Sequence, residues 1–118
     1  MKVITSKERE TWQTKTAKGY EYPFGTTNID CAVVEIFGRH PLTGWYRNTQ
    51  VDEMIYCKKG NGKIVFNDST FELEEDDAVF IEKNKWYYWD EKTNGVFVPM
   101  CNPAWSSEQG ENKDKIDI

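Results

Sequence analysis

Val51-Asp-Glu-Met-Ile-Tyr-Cys-Lys-Lys-Gly60-Asn-Gly-Lys-Ile-Val-Phe66 and Phe71-Glu-Leu-Glu-Glu-Asp-Asp-Ala-Val-Phe80-Ile-Glu-Lys-Asn-Lys-Trp-Tyr-Tyr-Trp89 decide the fold of this chain. Both stretches are short apolar or alternating runs broken by turn residues, the pattern of half-buried strands. It predicts strands over Glu53 to Lys58, Lys63 to Phe66, Thr70 to Leu73, Ala78 to Ile81 and Trp86 to Trp89. Turns are expected at Gly60-Asn61-Gly62, whose glycines supply positive φ, and at Asn67-Asp68.

Outward from this centre the same period continues. Ile29 to Phe37 reads as a buried strand, and Asn94-Gly95 as a hairpin turn into a strand over Val96 to Met100. Many short strands at close spacing indicate an antiparallel sandwich or barrel. A jelly roll fits better than an immunoglobulin-like sandwich, since no Cys…Trp…Cys framework is present. Helix signals are confined to weak capping boxes at Thr5-x-x-Glu8 and Ser106-x-x-Gln109, so at most short terminal helices are expected. The residues from Glu108 onward are mostly charged or polar and are expected to fray.

Composition narrows the class. At 118 residues the chain has the size of one domain, expected to span 1–118 with its barrel over about 29–105 and a polar tail over 108–118. Fifteen basic against twenty acidic side chains leave a net charge of −5, with no basic stripe, which argues against nucleic acid or an anionic membrane as partner. No apolar run approaches the roughly 20 residues of a membrane span, and the first ten residues carry no apolar signal core. Three cysteines, Cys31, Cys57 and Cys101, are an odd number without a Cys-x-x-Cys pair, so a reducing cytoplasmic setting is expected. Five Trp, six Tyr and six Phe are abundant for this length and suit a core, an interface or the wall of a pocket.

The spacing of Glu53 to Gly60, with Gly62 following, and the later Asp76 resemble the double motif of the cupins. The second motif departs from the pattern: Asp77 follows Asp76, Glu82 stands at its proline position and Asn84 at its second glycine. Asn tolerates left-handed backbone better than other non-glycine residues, so that turn survives. The close, Cys101-Asn-Pro-Ala-Trp-Ser-Ser-Glu-Gln109, is similar to that of a subset of small, mostly uncharacterised cupins. The resemblance implies an all-β double-stranded β-helix, the jelly-roll barrel of the RmlC-like superfamily, and a homodimer, which would also cover sheet edges and surplus aromatics.

Cupins usually hold a metal on three histidines and a glutamate. Counted from Glu53 and Asp76, the histidine positions fall on Arg47, Thr49 and Tyr87, and the lone histidine, His40, lies outside the motif. Arg47 is a fixed positive charge that repels a cation. Glu53 and Cys57 share a strand face but make a weak site without histidine. The expectation is a barrel without metal or other cofactor.

In its place stands a candidate ligand site of Arg47, Thr49, Glu53, Cys57, Tyr87 and Trp89. Arg47 would hold an anionic or carbonyl group by its forked donors, Tyr87 and Trp89 would stack on a sugar or other flat ring, and Glu53 would accept hydroxyls. The competing reading is a closed internal ion pair of Arg47 with Glu53. Catalysis has candidate acids or bases in Tyr87 and Glu53 but no constellation. The functional expectation is a metal-free binder of a small polar or carbohydrate-like molecule. The alternative is a cofactor-independent sugar or keto-acid isomerase or epimerase.

Overall fold

The computed structural model describes residues 1–117. Its strands are β1 (Glu10–Gln13), β2 (Ala17–Glu21), β3 (Asp30–Phe37), β4 (Trp45–Asn48), β5 (Asp52–Phe66), β6 (Thr70–Leu73), β7 (Ala78–Ile81), β8 (Tyr87–Trp89), β9 (Asn94–Asn102) and β10 (Gly110–Lys113). Every pairing is antiparallel, and the strands hydrogen-bond in the order β1-β2-β3-β9-β5-β8-β4-β10, with β6 and β7 both attached to β5. The result is the jelly-roll barrel that the strand pattern implied.

β5 organises the molecule. Its first half pairs with β7 and β9, its second half with β6 and β8, so one 15-residue strand belongs to both walls. A strand can serve two walls only if it bends, and the bend lies at Lys58 to Gly62. There the register with β9 slips between Cys57 and Lys59, the extra residue of a β-bulge. Gly60 has φ +76, and a Cβ there would lie 2.3 Å from the carbonyl oxygen of Asn94. A Cβ on Gly62 would lie 2.7 Å from both the Phe97 and Trp89 rings. The glycines expected to make a turn therefore make a strand corner, with the core packed against it.

Two further expectations are corrected, and the expectation of at most short terminal helices holds. Asn94-Gly95 lies inside β9, where Asn94 pairs with Phe37 and Asn61. The turn comes earlier, where the Thr93 amide donates to the Asp90 carbonyl at 3.0 Å. The segment from Glu108 does not fray as a whole: Gly110 to Lys113 pair with Asn48 to Trp45, extending the sheet beyond residue 105. Backbone pairing overrides polar composition there, because a strand needs a partner edge rather than a hydrophobic sequence. Finally, Thr5 and Glu8 bond to each other without starting a helix, and Ser107–Gln109 form a single 3-10 turn with no side-chain cap.

The core is aromatic and aliphatic. Ala17, Ile36, Ile55, Ile64, Leu73 and Phe97 are buried in one cluster with Cys57, Tyr87 and Trp89. Trp89 packs on Phe97 at 4.5 Å between ring centroids. The burial alternates along β5, with Glu53, Ile55 and Cys57 inward and Met54 outward. That alternation delivers a carboxyl group into the barrel.

Candidate functional site

Glu53 enters the barrel because β5 alternates and its cross-strand neighbours are also inward. It pairs with Ile81 of β7 on one side and Cys101 of β9 on the other, and Cys101 pairs with Asp30 of β3. Ile81, Glu53, Cys101 and Asp30 thus form one row across four strands. The Cys101 thiol donates to Glu53 Oε2 at 3.6 Å. The Tyr87 hydroxyl from β8 donates to Glu53 Oε1 at 3.1 Å, and the Asn48 amide from β4 donates to the same oxygen at 3.3 Å.

A second layer holds the first. The Tyr46 hydroxyl donates to Asn48 Oδ1 at 2.7 Å, and the Gln109 amide donates to the same atom at 2.9 Å. The Trp105 indole N–H donates to the Tyr46 hydroxyl oxygen at 2.9 Å, while the Trp105 backbone amide donates to Asp30 Oδ2 at 3.0 Å. Tyr46 and Tyr87 meet edge to face, 5.8 Å apart. No side-chain polar atom buried among the described residues lacks a hydrogen-bond partner.

This setting moves proton affinities in one direction. Burial pushes the Glu53 carboxyl above the usual range, only partly offset by its donors Tyr87, Cys101 and Asn48, and Asp30 adds a further upward push. Burial also raises Asp30 and Cys101, lifts the Tyr46 hydroxyl to about 12, and holds Tyr87 well above the ordinary phenol range. The site is a cluster of groups that hold their protons more tightly than in water.

Strand parity corrects the motif count. Tyr46 and Asn48 project inward from β4, and Arg47 between them projects outward. Two Arg47 nitrogens donate to Glu111 Oε2, Nε at 3.0 Å and Nη2 at 2.8 Å, and its guanidinium lies 4.5 Å from the centre of the Trp86 ring. The internal Arg47–Glu53 ion pair does not exist. Thr49 also stands apart: its backbone amide and hydroxyl both donate to the Gln109 carbonyl, at 3.0 and 2.7 Å, fastening the 3-10 turn. A one-residue slip moves every side chain to the opposite face, so the motif positions are Tyr46 and Asn48.

The structure joins Glu53 and Tyr87 directly. Cys57 and Trp89 lie deeper, in the apolar cluster, where the Cys57 thiol faces the carbonyl oxygens of Lys59 and Gly60 at 3.7 Å. Sequence reading missed Tyr46, Asn48, Cys101, Gln109, Trp105 and Asp30. For Gln109 and Trp105 the signal was the Trp-Ser-Ser-Glu-Gln close.

The metal that barrels of this fold commonly hold does not fit these residues. Its positions carry two phenols, an amide and one carboxyl, and the phenols are held far from ionisation. Among the described residues no three His, Cys, Asp or Glu side chains are placed to share a cation.

A groove of about 570 Å³ runs between β6 and β7, each of which pairs with β5 alone, and is lined by Phe66, Phe71, Leu73, Phe80 and Ile81 among others. Ile81 is the cross-strand partner of Glu53, and the Phe66 ring stands 5.9 Å from that of Tyr87. No helix of the described residues is long and apolar enough to cross a membrane.

No protein-family model matches the sequence, and none of the curated proteins matches it. Solved structures do match. Pac13, a nucleoside dehydratase of Streptomyces whose variants are known with uridine bound, superposes with a TM-score of 0.86 at 14% identity, covering 99% of this chain and 93% of that one. Ectoine synthase from P. lautus gives a TM-score of 0.75 at 16% identity, over 99% of this chain and 94% of the other. An RmlC-like cupin from Shewanella frigidimarina gives 0.74 at 12% identity, over 92% of this chain and 96% of its own.

Proposed function

The chain folds as a small cupin of the RmlC-like kind, and on that premise we propose that it binds a small polar, carbohydrate-like molecule at Glu53, without a metal. The observation that carries this reading is the buried carboxyl itself. Glu53 is 8% exposed and is met only by the uncharged donors Tyr87, Asn48 and Cys101, in the positions where the fold keeps its chemistry. Burying a carboxyl without a cation beside it costs stability. A residue placed at that cost, among donors and acceptors that a ligand hydroxyl can replace, is a recognition group.

Trp105 stands at the rim of the cluster. It is 43% exposed and tied to the cluster through its indole bond to Tyr46. Breaking that bond would free the Tyr46 hydroxyl for a ligand. The test is a thermal-shift screen of free sugars, nucleosides and sugar acids on the intact chain. Stabilisation by at least one, weakened by Glu53→Gln, is expected; no stabilisation by any compound rejects the reading. A ligand at a hundredfold excess over its Kd adds about 2.7 kcal/mol.

A second reading, proton-transfer catalysis, rests on the adjacency of Glu53 and Tyr87. A carboxyl with raised proton affinity can protonate a departing or migrating oxygen, and its conjugate base can take a carbon-bound proton. The likeness to a nucleoside dehydratase supports this reading. Exchange of a carbon-bound ligand proton with deuterated solvent, abolished by Glu53→Gln, would favour the enzyme over the binder. Self-association through the outer face of β7, β5 and β9 completes the proposal.

A further inference from the structure

The row Asp30–Cys101–Glu53 places two carboxyls on either side of one thiol, Glu53 buried in the barrel and Asp30 half-buried at its rim. Every hydrogen bond that reaches Glu53 comes from an uncharged side chain, and Asp30 accepts the backbone amide of Trp105. Cationic side chains are directed elsewhere. Arg47, the nearest in sequence to the inward β4 residues, is turned outward by strand parity onto Glu111 and Trp86, and Lys85 pairs with Asp68. Among the described residues no lysine or arginine forms a hydrogen bond or ion pair with Glu53 or Asp30.

A site that holds phosphate or carboxylate supplies guanidinium, ammonium or clustered backbone amides to it. This one supplies acids. An anion brought beside them meets like charge, in surroundings of low dielectric at Glu53 and nearer solvent at Asp30, or else requires the carboxyls to remain protonated. An uncharged hydroxyl meets no such penalty, and it can exchange bonds with Asn48, Tyr46, Tyr87 and Glu53 one for one.

Resting on the binding reading above, we infer that the barrel selects its ligand by charge. It takes an uncharged, hydroxyl-bearing molecule and rejects the phosphorylated form of the same molecule, with Asp30 and Glu53 as the residues that determine this specificity.

Matched pairs test it: uridine against uridine 5′-monophosphate, and glucose against glucose 6-phosphate, titrated by calorimetry into the intact chain. The uncharged member of at least one pair is expected to bind at least tenfold more tightly than its phosphate. Asp30→Asn and Glu53→Gln should each narrow that ratio at least threefold, with folding of both variants checked by circular dichroism. Arg47→Ala, outside the barrel, should leave the ratio unchanged. A phosphate that binds as well as its parent or better overturns the charge selection while leaving the binding reading intact. A ratio unmoved in both carboxyl variants removes Asp30 and Glu53 from the selection and overturns the inference. Failure of all four compounds to bind counts against both.

Discussion

Tyr87 donates its hydroxyl proton to Glu53 Oε1 across 3.1 Å, joining residues 34 positions apart on two strands that both pair with the central strand or form part of it. The bond favours the charged carboxylate against the larger effect of burial. Tyr87→Phe removes it with little change of shape. The expected result is a loss of about 1 kcal/mol of stability and a further rise in the Glu53 pKa. Chemical denaturation gives the first quantity, and carboxyl-carbon NMR titration the second. A Glu53 pKa that stays put or falls in the variant would show that the bond does not act on the carboxylate.

Glu53 should also make stability depend on pH, with a definite sign. Its folded-state pKa lies above the unfolded value of 4.5, so the folded protein holds the proton more tightly. The associated stability is fully present below about pH 4.5 and declines as pH rises toward the folded pKa. Asp30, raised by burial from 3.8, acts in the same sense. Glu53→Gln removes the titration, so the stability of the variant relative to the wild type should rise with pH. Unfolding curves between pH 4 and 8 measure variant minus wild-type stability, and a difference that falls as pH rises would reverse the assignment.

Fold and site were legible in the sequence to different depths, for physical reasons. Strand period and turn residues pointed to the β architecture, because short runs rich in β-branched and aromatic residues, such as those around Ile55, Ile64 and Ile81, are closely punctuated by turn residues. Gly60 and Gly62 were read as a turn because positive φ and missing side chains look alike at a turn and at a strand corner. Only the contacts to Asn94, Phe97 and Trp89 separate the two. The site suffered most from parity. Glu53 and Tyr87 meet, but the loop from Thr49 to Val51 between β4 and β5 lets the inward face fall on Tyr46 and Asn48 instead of Arg47 and Thr49. Asp30, Cys101, Trp105 and Gln109 reach the cluster from four other elements or loops, and no local spacing encodes that meeting.

Arg47→Ala should accordingly behave as a surface change. The Arg47–Glu111 bridge spans 2.8 Å with both side chains about a third exposed, where such pairs contribute at most about 1 kcal/mol. Part of any loss should come from the stack on Trp86. Thermal unfolding in low and high salt separates the two, since only the ionic part is screened. Weakened binding of an uncharged ligand at undiminished stability would return Arg47 to the site.

The strand that sends Glu53 inward sends Met54 outward, and Met54 is flanked by Phe80 of β7 and Met100 of β9, which is followed by Cys31 of β3. Phe80 and Met54 are 58% and 50% exposed, so this outer row leaves large apolar side chains in water directly behind the polar interior row. Such a patch is suited to a second copy related by a two-fold axis, where each row would cover its counterpart. Sedimentation equilibrium is expected to give a dimer. Met54→Lys combined with Phe80→Lys puts four ammonium groups into the symmetric contact, and burying unpaired charge is costly. At least a hundredfold weaker association is expected, about 2.7 kcal/mol at RT of 0.59 kcal/mol, with the far-ultraviolet dichroism of the barrel unchanged. Wild-type protein that stays monomeric at tens of micromolar, or a double variant that dimerises as before, would locate any self-association elsewhere on the surface.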